Sequence, residues 1–403
     1  MRRSAANLIL AGLVIASCAI PRTPSSTPVT PTTSSVRSTP TIDLAGRGGW
    51  RTTPDPAGFR ISQVKQVITV PGGFVAVGCT SPSGPECGLP AVWTSADAIA
   101  WSGPTFLPVT DDQGETYGVA RAAALTPTGL AVGGLVKRGE RAYAALWFSP
   151  DSRSFERVAD DASFSDAAVV AMTTVGDRFV AVGSGAYMEY FGFRAWSSDD
   201  GRAWVATALA TAESDEASPV GLLALESGLV AWGPTCSVCP PETAWWRSED
   251  GLAWTASGTE LGSGSFDWAA AVGEGPTGLV AFGTTGVDPP KPAAWSLDNG
   301  ADRWGPLEPP AQPEGTPIRH YLLIGDVAVL AATSSRNPSK PTGLAWLSGP
   351  GDETWRPEIE LPGAEIVTLL HDPARVDRFM VVARSPQGES ERFLWTGTVD
   401  LTR

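Results

Sequence analysis

The stretch Trp246-Arg-Ser248-Glu-Asp250-Gly251-Leu-Ala-Trp254 constrains this chain most, because near-copies of it recur along the sequence. Trp196-Ser-Ser198-Asp-Asp200-Gly201-Arg-Ala-Trp204 is one such copy. Trp93-Thr-Ser95-Ala-Asp97 running to Trp101, and Trp147-Phe-Ser149-Pro-Asp151 running to Phe155, keep the spacing with substitutions. Trp295 to Trp304 and Trp346 to Trp355 stretch the turn slightly. A period of about 50 residues is the signature of a repeat architecture, in which each copy is one supersecondary unit.

Within each repeat the apolar runs are short and bounded by Gly, Pro, Ser and Asp, which reads as strands and turns. The first run is rich in small residues: Val64 to Val70, Val119 to Leu125, Ala167 to Met172 and His320 to Ile324. The second is the most regular, as in Phe74-Val-Ala-Val-Gly78, Phe179-Val-Ala-Val-Gly183, Leu229-Val-Ala-Trp-Gly233 and Leu279-Val-Ala-Phe-Gly283. Weaker copies are Leu130 to Gly134, Val327 to Ala331 and Phe379 to Ala383. These runs are apolar throughout, as expected of strands covered on both faces. The third strand carries the first Trp and the fourth begins near the second. Such a chain is expected to be all-β, a seven-bladed β-propeller with four-stranded blades. The last repeat lacks its second Trp, while Trp50 lies one repeat length before Trp101. The segment around Trp50 is therefore expected to supply the outer strand of the last blade, closing the ring without two unpaired edges.

Residues 1–17 read as a signal peptide, with Arg2 and Arg3 ahead of an apolar run too short to span a bilayer. Ile15-Ala16-Ser17-Cys18 resembles the lipobox of bacterial lipoproteins. That resemblance implies lipid on Cys18, a membrane-anchored, extracytoplasmic protein, and a stable hold through several acyl chains. An ordinary cleaved signal peptide is the plainer alternative. Residues 18–46 are dominated by Ser, Thr and Pro, a composition that buries too little apolar area to offset its ordering entropy. They read as a disordered tether reaching up to about 80 Å, or as an O-glycosylated stalk. The propeller is assigned to residues 47–403.

A formal charge of −14 argues against nucleic acid as a partner, since phosphates need a basic face. Of five cysteines, Cys79 with Cys87 and Cys236 with Cys239 form two local pairs, which in an exported protein read as disulfides. Zinc held by Cys236 and Cys239 is the alternative, but a closed structural site needs four ligands. No metal and no cofactor is expected, and a monomer is.

The Trp-flanked turn resembles the Asp-box, or BNR, repeat (Ser-x-Asp-x-Gly-x-x-Trp) of sialidases, sortilin-type receptors and a photosystem II assembly factor. Ser197, Asp199, Gly201 and Trp204 match that spacing, whereas Ser198-Asp200-Gly201-Trp204 and Ser248-Asp250-Gly251-Trp254 share a frame one residue tighter. The resemblance implies a sialidase-like propeller in which the box is a folding device, on the face away from the ligand. WD40 markers are missing; a Kelch-type repeat of similar length remains open.

Two histidines, His320 and His371, in different repeats give hydrolase triads little to work with. Neither a phosphate-cradling loop nor a dinucleotide fingerprint is present. A propeller binds through one mouth of its channel, built from loops entering the first strand and loops joining the second to the third. On that basis the mouth contains Arg60, Glu115, Tyr117, Asp166, Asp267, Arg319, His320 and Glu365, with longer loops at 137–141, 187–190 and 236–239 around it. Phe59-Arg60-Ile61 resembles the Phe-Arg-Ile-Pro segment of sialidases, with Ser62 in place of Pro. That implies a carboxylate-clamping role for Arg60; Arg319 is a looser candidate, and no nucleophile is matched. The expected function is a membrane-tethered, extracytoplasmic module that binds or scaffolds an envelope protein or glycan. The alternative is a sialidase-like glycoside hydrolase acting on surface or extracellular glycans.

Overall fold

A computed structural model describes residues 51–52, 62–80, 88–98, 100–109, 114–185, 192–209, 217–235, 242–257, 261, 267–275, 277–286, 291–298, 303–310, 318–324, 327–334, 341–348, 355–371, 378–384 and 394–400. The chain divides into Met1–Thr41 and Ile42–Arg403. The signal peptide, Cys18, the tether, Trp50, Arg60, Cys87, Cys236 and Cys239 lie outside the described residues. Among the described residues no helix is long and apolar enough to cross a membrane.

The described strands of Ile42–Arg403 group into seven sheets, arranged as the blades of a β-propeller. Each sheet is an antiparallel meander in chain order. The first is Ser62–Val70, Gly73–Thr80, Leu89–Ser95 and Thr105–Phe106. The second is Glu115–Thr126, Gly129–Arg138, Arg141–Ser149 and Glu156–Arg157. The third is Ala167–Val175, Arg178–Gly185, Phe193–Ser198 and Val205–Ala206. Gly221–Leu225, Gly228–Pro234, Thr243–Ser248 and Ala253–Ser257 make the fourth, to which the linker strand Ala208–Leu209 adds in parallel, Leu209 opposite Trp254. The fifth is Trp268–Gly275, Gly278–Thr285, Lys291–Asp298 and Gly305–Leu307. The sixth is Ile318–Ile324, Val327–Ser334, Thr342–Ser348 and Arg356–Pro362.

The seventh sheet joins the two ends of the domain. Its strands Glu365–His371, Arg378–Arg384 and Leu394–Asp400 are completed on the outside by Arg51–Thr52. Arg51 pairs with Thr396 and Thr52 with Trp395. Residues beside Trp50 thus cover the edge that Leu394–Asp400 would otherwise present to solvent.

Each sheet buries both faces, which is why its strands read as continuous apolar runs. The cores lie between consecutive sheets. Val75 and Val77 meet Trp147, and Phe148 and Leu146 meet Trp196 and Trp204. Val180 and Val182 meet Trp246 and Trp254, and Trp232 and Trp245 meet Trp295 and Trp304. Phe282 packs with Trp346 and Trp355, and Val329 with Phe379 and Val381. Met380 and Val382 of the seventh sheet then meet Trp93 and Trp101 of the first. The innermost strands touch in the same order, and Glu365–His371 abuts Ser62–Val70.

The Ser-x-Asp turns are built as small hydrogen-bonded knots joining the third strand to the fourth. Asp200 Oδ1 accepts from the amides of Arg202 and Ala203, both at 2.8 Å, and Ser198 Oγ accepts from Gly201 N at 2.8 Å. Trp204 Nε1 donates to the Gly201 carbonyl at 2.9 Å. Asp151 Oδ1 takes the Arg153 and Ser154 amides, and Ser248 Oγ and Asp250 Oδ1 take those of Gly251 and Leu252. The tighter frame is therefore the one in use; Asp199 instead pairs with Arg178 at 2.7 Å. The residue after the Asp is left-handed, with φ of 75° at Gly201 and 79° at Gly251. Ala98 and Ser152 bear the same conformation at 55° and 57°.

Backbone donation from Ala203 and then Arg202 holds the Asp200 carboxyl below its usual range. A depressed folded-state pKa means the contribution is complete above the ordinary Asp range, near pH 4, and is lost as pH falls through the folded value. Asp200→Asn is therefore expected to flatten the acid limb of the melting-temperature curve below about pH 4. An unchanged acid limb would show that the turn carboxylate does not couple to folding.

Candidate functional site

The entry ends of the inner strands gather on one face of the ring. Arg384, at the end of the seventh sheet's second strand, donates to Glu365 at 2.9 Å and to the Val64 carbonyl of the first sheet at 2.7 Å. Thr333 Oγ1 takes the Ile366 amide at 3.0 Å, and Thr243 Oγ1 takes that of Ala269 at 2.7 Å. Cys79, Val119, Leu135 and Ala168 form a small core at this end of the first three sheets. The Ser-x-Asp turns lie at the other end, since Ser95, Ser149, Ser198 and Ser248 pair with Phe74, Leu130, Phe179 and Leu229 near the start of the second strands.

The described mouth residues sit at these entry ends, and most are already engaged. Glu115 opens the second inner strand. Tyr117 is half-buried, with the Lys137 ammonium 5.6 Å from its ring centroid. Asp166 adopts φ 53° and pairs with Arg141 at 2.9 Å. Glu365 is held by Arg384. His320 turns into the contact between the sixth and seventh sheets, bonded to the Ile366 backbone, and burial lowers its pKa to about 4. It is neutral at pH 7 and serves packing. Arg319 is exposed. Residues 137–141 form a tight hairpin, Arg138 opposite Arg141, and not a long loop. Cys79 is disulfide-bonded.

Asp267 is buried at the entry to the fifth inner strand and accepts from Thr285 Oγ1 at 2.5 Å. Burial raises its pKa, the Thr285 bond opposes this, and the neighbouring charge of Glu242 adds to the rise.

A second feature is a main-chain device that periodicity does not announce. Six inner strands carry a register shift near their entry, at Val64/Gln66, Ala120/Ala122, Val169/Ala171, Ala269/Ala271, Ile318/His320 and Ile366/Thr368. Each shift leaves one residue out of the ladder: Lys65, Arg121, Val170, Ala270, Arg319 and Val367. Behind the bulge, the glycine ending the second-strand motif leaves room for an inner-strand carbonyl. A Cβ on Gly134, Gly183 or Gly283 would overlap the oxygen of Val119, Ala168 or Trp268 respectively; in the fourth sheet, whose inner strand carries no register shift, one on Gly233 would overlap the oxygen of Ser218, ahead of that strand. Three of the six residues left out of the ladder are cationic, whereas Val367 packs against the core between the seventh and first sheets. The signal in the sequence was a charge inside a small-residue run, Val119-Ala-Arg121-Ala-Ala.

Among the described residues no group of three or more His, Cys, Asp or Glu is placed to hold a metal.

No family model matches the sequence, and no curated protein matches it. Solved structures do share its fold. A phage phi92 endosialidase superposes with a TM-score of 0.54 at 10% identity, over 89% of this chain and 70% of that one. An ulvan lyase of polysaccharide lyase family PL25, bound to -[GlcA(1-4)Rha3S]-, gives 0.56 at 11% identity, over 86% and 94%. A protein of unknown function from Dyadobacter fermentans gives 0.50 at 14% identity, over 87% and 99%. At such identities the likeness establishes the β-propeller fold, and function rests on the residues of the site.

Proposed function

We propose that this chain is a seven-bladed, Asp-box propeller, held outside the cytoplasmic membrane by lipid on Cys18, that binds a glycan through the mouth at its strand-entry face. The observation that carries this reading is the contrast between the two faces. The Ser-x-Asp face spends its polar side chains on its own turns. The entry face gathers Arg319 exposed, Arg121 on a bulge and Asp267 buried with a raised pKa. Polar groups on a rigid ring around a concave mouth suit a ligand with many hydroxyls. The glycan-acting propellers with the same fold are consistent with this use. A Cys79–Cys87 disulfide would brace the mouth.

The test is a glycan array probed with the purified full chain. Binding that survives Ser198→Ala but falls in Arg319→Ala is expected; no binding above background, or the reverse pattern, would overturn the reading. For the anchor, Cys18→Ser is expected to shift the chain from the membrane to the soluble fraction, and retention would contradict it.

A hydrolase reading is favoured by one observation, the buried Asp267, whose pKa burial raises, with Glu242 close enough to act on it electrostatically, since glycosidases work with a pair of carboxyls. Turnover of a glycan substrate that is abolished in Asp267→Asn would establish it, and no turnover across the array's ligands would remove it.

A further inference from the structure

Side chains of one sheet strap the inner-strand main chain of the next. Gln66 of the first sheet takes the Ala123 amide of the second at 2.8 Å. Thr243 of the fourth takes the Ala269 amide of the fifth at 2.7 Å and donates to the Asp267 carbonyl at 3.1 Å. Thr333 of the sixth takes the Ile366 amide of the seventh at 3.0 Å, and a second bond at this seam joins His320 to the Ile366 backbone. Ala269 and Ile366 are equivalent, each the last paired residue ahead of its strand's register shift. The two straps thus share a plan, but an imidazole makes the second bond at the sixth–seventh seam where a threonine hydroxyl makes it at the fourth–fifth. A hydroxyl stays neutral across the ordinary pH range; an imidazole does not.

The surroundings oppose a charge on His320. Its bond to Ile366 favours the charged ring, but burial disfavours it more, and the pKa falls from 6.5 to about 4. The strands packed against its own carry Glu274 in the fifth sheet and Glu365 and His371 in the seventh, with Arg384 paired to Glu365. Arg319 and Tyr321 flank it in sequence. Arg319 is the charge that acts on His320, and it too opposes the imidazolium. Part of the His320 surface still meets solvent, which gives a proton its route. Because the folded-state pKa lies below the unfolded one, the hold on Ile366 is complete above about pH 6.5 and is lost as pH falls toward 4.

We propose that the sixth–seventh seam is an acid-released latch of the ring: a solvent proton settles on the second ring nitrogen of His320, the ring turns out to water, and the Ile366 main chain is let go at the mouth. Hydration is what an imidazolium there lacks, and swinging outward supplies it. The seventh sheet joins the two ends of the domain, so the latch sits beside the ring's closure. The straps made by Gln66 and Thr243 carry no such proton and hold in acid. Acid therefore opens the mouth along one seam and leaves the other two strapped. The latch is independent of what the mouth binds.

The experiment is hydrogen exchange of the full chain by mass spectrometry at about pH 7.5, 6.5 and 5, expressed as protection factors so that the intrinsic pH dependence of exchange drops out. Protection in residues 318–324 and 365–371 is expected to fall about tenfold between about pH 6.5 and 5, as linkage to one proton requires. Residues 115–126, strapped by Gln66, are expected to hold steady. His320→Gln still offers Ile366 an N–H but takes up no proton, so its protection is expected to stay level. His371→Gln is expected to behave as wild type. A level wild-type profile, or a fall that survives in His320→Gln, would overturn the proposal. An equal fall in 115–126 would do the same, since it would mean global acid unfolding. Where His320→Gln does not fold, ring NMR of the labelled wild type decides, because the chain has two histidines and His371→Gln identifies the His320 signal. A midpoint at least about one unit below the ordinary 6.5 is expected, and any higher value would overturn the latch.

Discussion

Trp246→Ala is expected to cost about 3–5 kcal/mol of folding stability, among the largest effects any single truncation in this chain would produce. Trp246 is fully buried, stacked on Phe193 with ring centroids 4.6 Å apart and planes 26° apart. It fills the space between the third and fourth sheets together with Val180, Val182 and Trp254. Both sheets are fixed by strands and by their other neighbours, so they cannot close over the void, and the cavity penalty adds to the lost transfer energy. Among the described residues its indole N–H has no partner, so Trp246→Phe removes area without breaking a hydrogen bond and should cost markedly less. Chemical denaturation of both variants checks this. A loss under about 1 kcal/mol for the alanine variant would mean that the indoles decorate the inter-sheet seams and do not fill them.

Gly183→Val is expected to cost about 3 kcal/mol, through overlap instead of a void. A Cβ there would run into the Ala168 carbonyl that the bulge turns toward the second strand. Relief requires undoing the register shift, which would move the inner-strand residues on its entry side to the opposite face. Ala332 and Ala383 stand at the equivalent place in the sixth and seventh sheets, where the inner strand begins at or just before the shift, so the valine is the more decisive replacement. Thermal melting reads the loss. A neutral Gly183→Val would mean that the glycine is a composition habit of the repeat and not a seat for the bulge.

Much of the architecture was legible because it is written in side-chain pattern. The recurring Phe-Val-Ala-Val-Gly run named the second strands, since a strand covered on both faces must be apolar at every position. The paired Trp and the Ser-x-Asp spacing named the turns, and the unpaired Trp50 pointed to the closing segment. The choice between the two serine-aspartate frames was not legible, because Ser197-Ser198 and Asp199-Asp200 are chemically identical pairs and only backbone geometry separates them. The mouth was read at the level of loops, and the structure puts its described residues at the strand-entry ends, with His320 bonded to the Ile366 backbone of the next sheet. That residue looks outward in a list of polar types, yet it is turned inward between two sheets. Lys65 and Arg121 were passed over because they interrupt strands, and a strand reading counts such charges as lapses in the pattern. The bulge that gives them a place is a main-chain event without a side-chain signature of its own, except for the glycine behind it.

The claim on which the whole account depends is that the two ends of the domain meet in one sheet, with Arg51 opposite Thr396. Antiparallel partners bring their Cα atoms to about 4.5–5.5 Å, within disulfide range, whereas a partner two residues further along lies beyond it. Arg51→Cys combined with Thr396→Cys, oxidised mildly and mapped by peptide mass spectrometry, is expected to give an intrachain cross-link that urea abolishes when added before oxidation. Arg51→Cys with Thr398→Cys should give little. Equal yields from both pairs, cross-links only between separate chains, or none at all would contradict the closed ring.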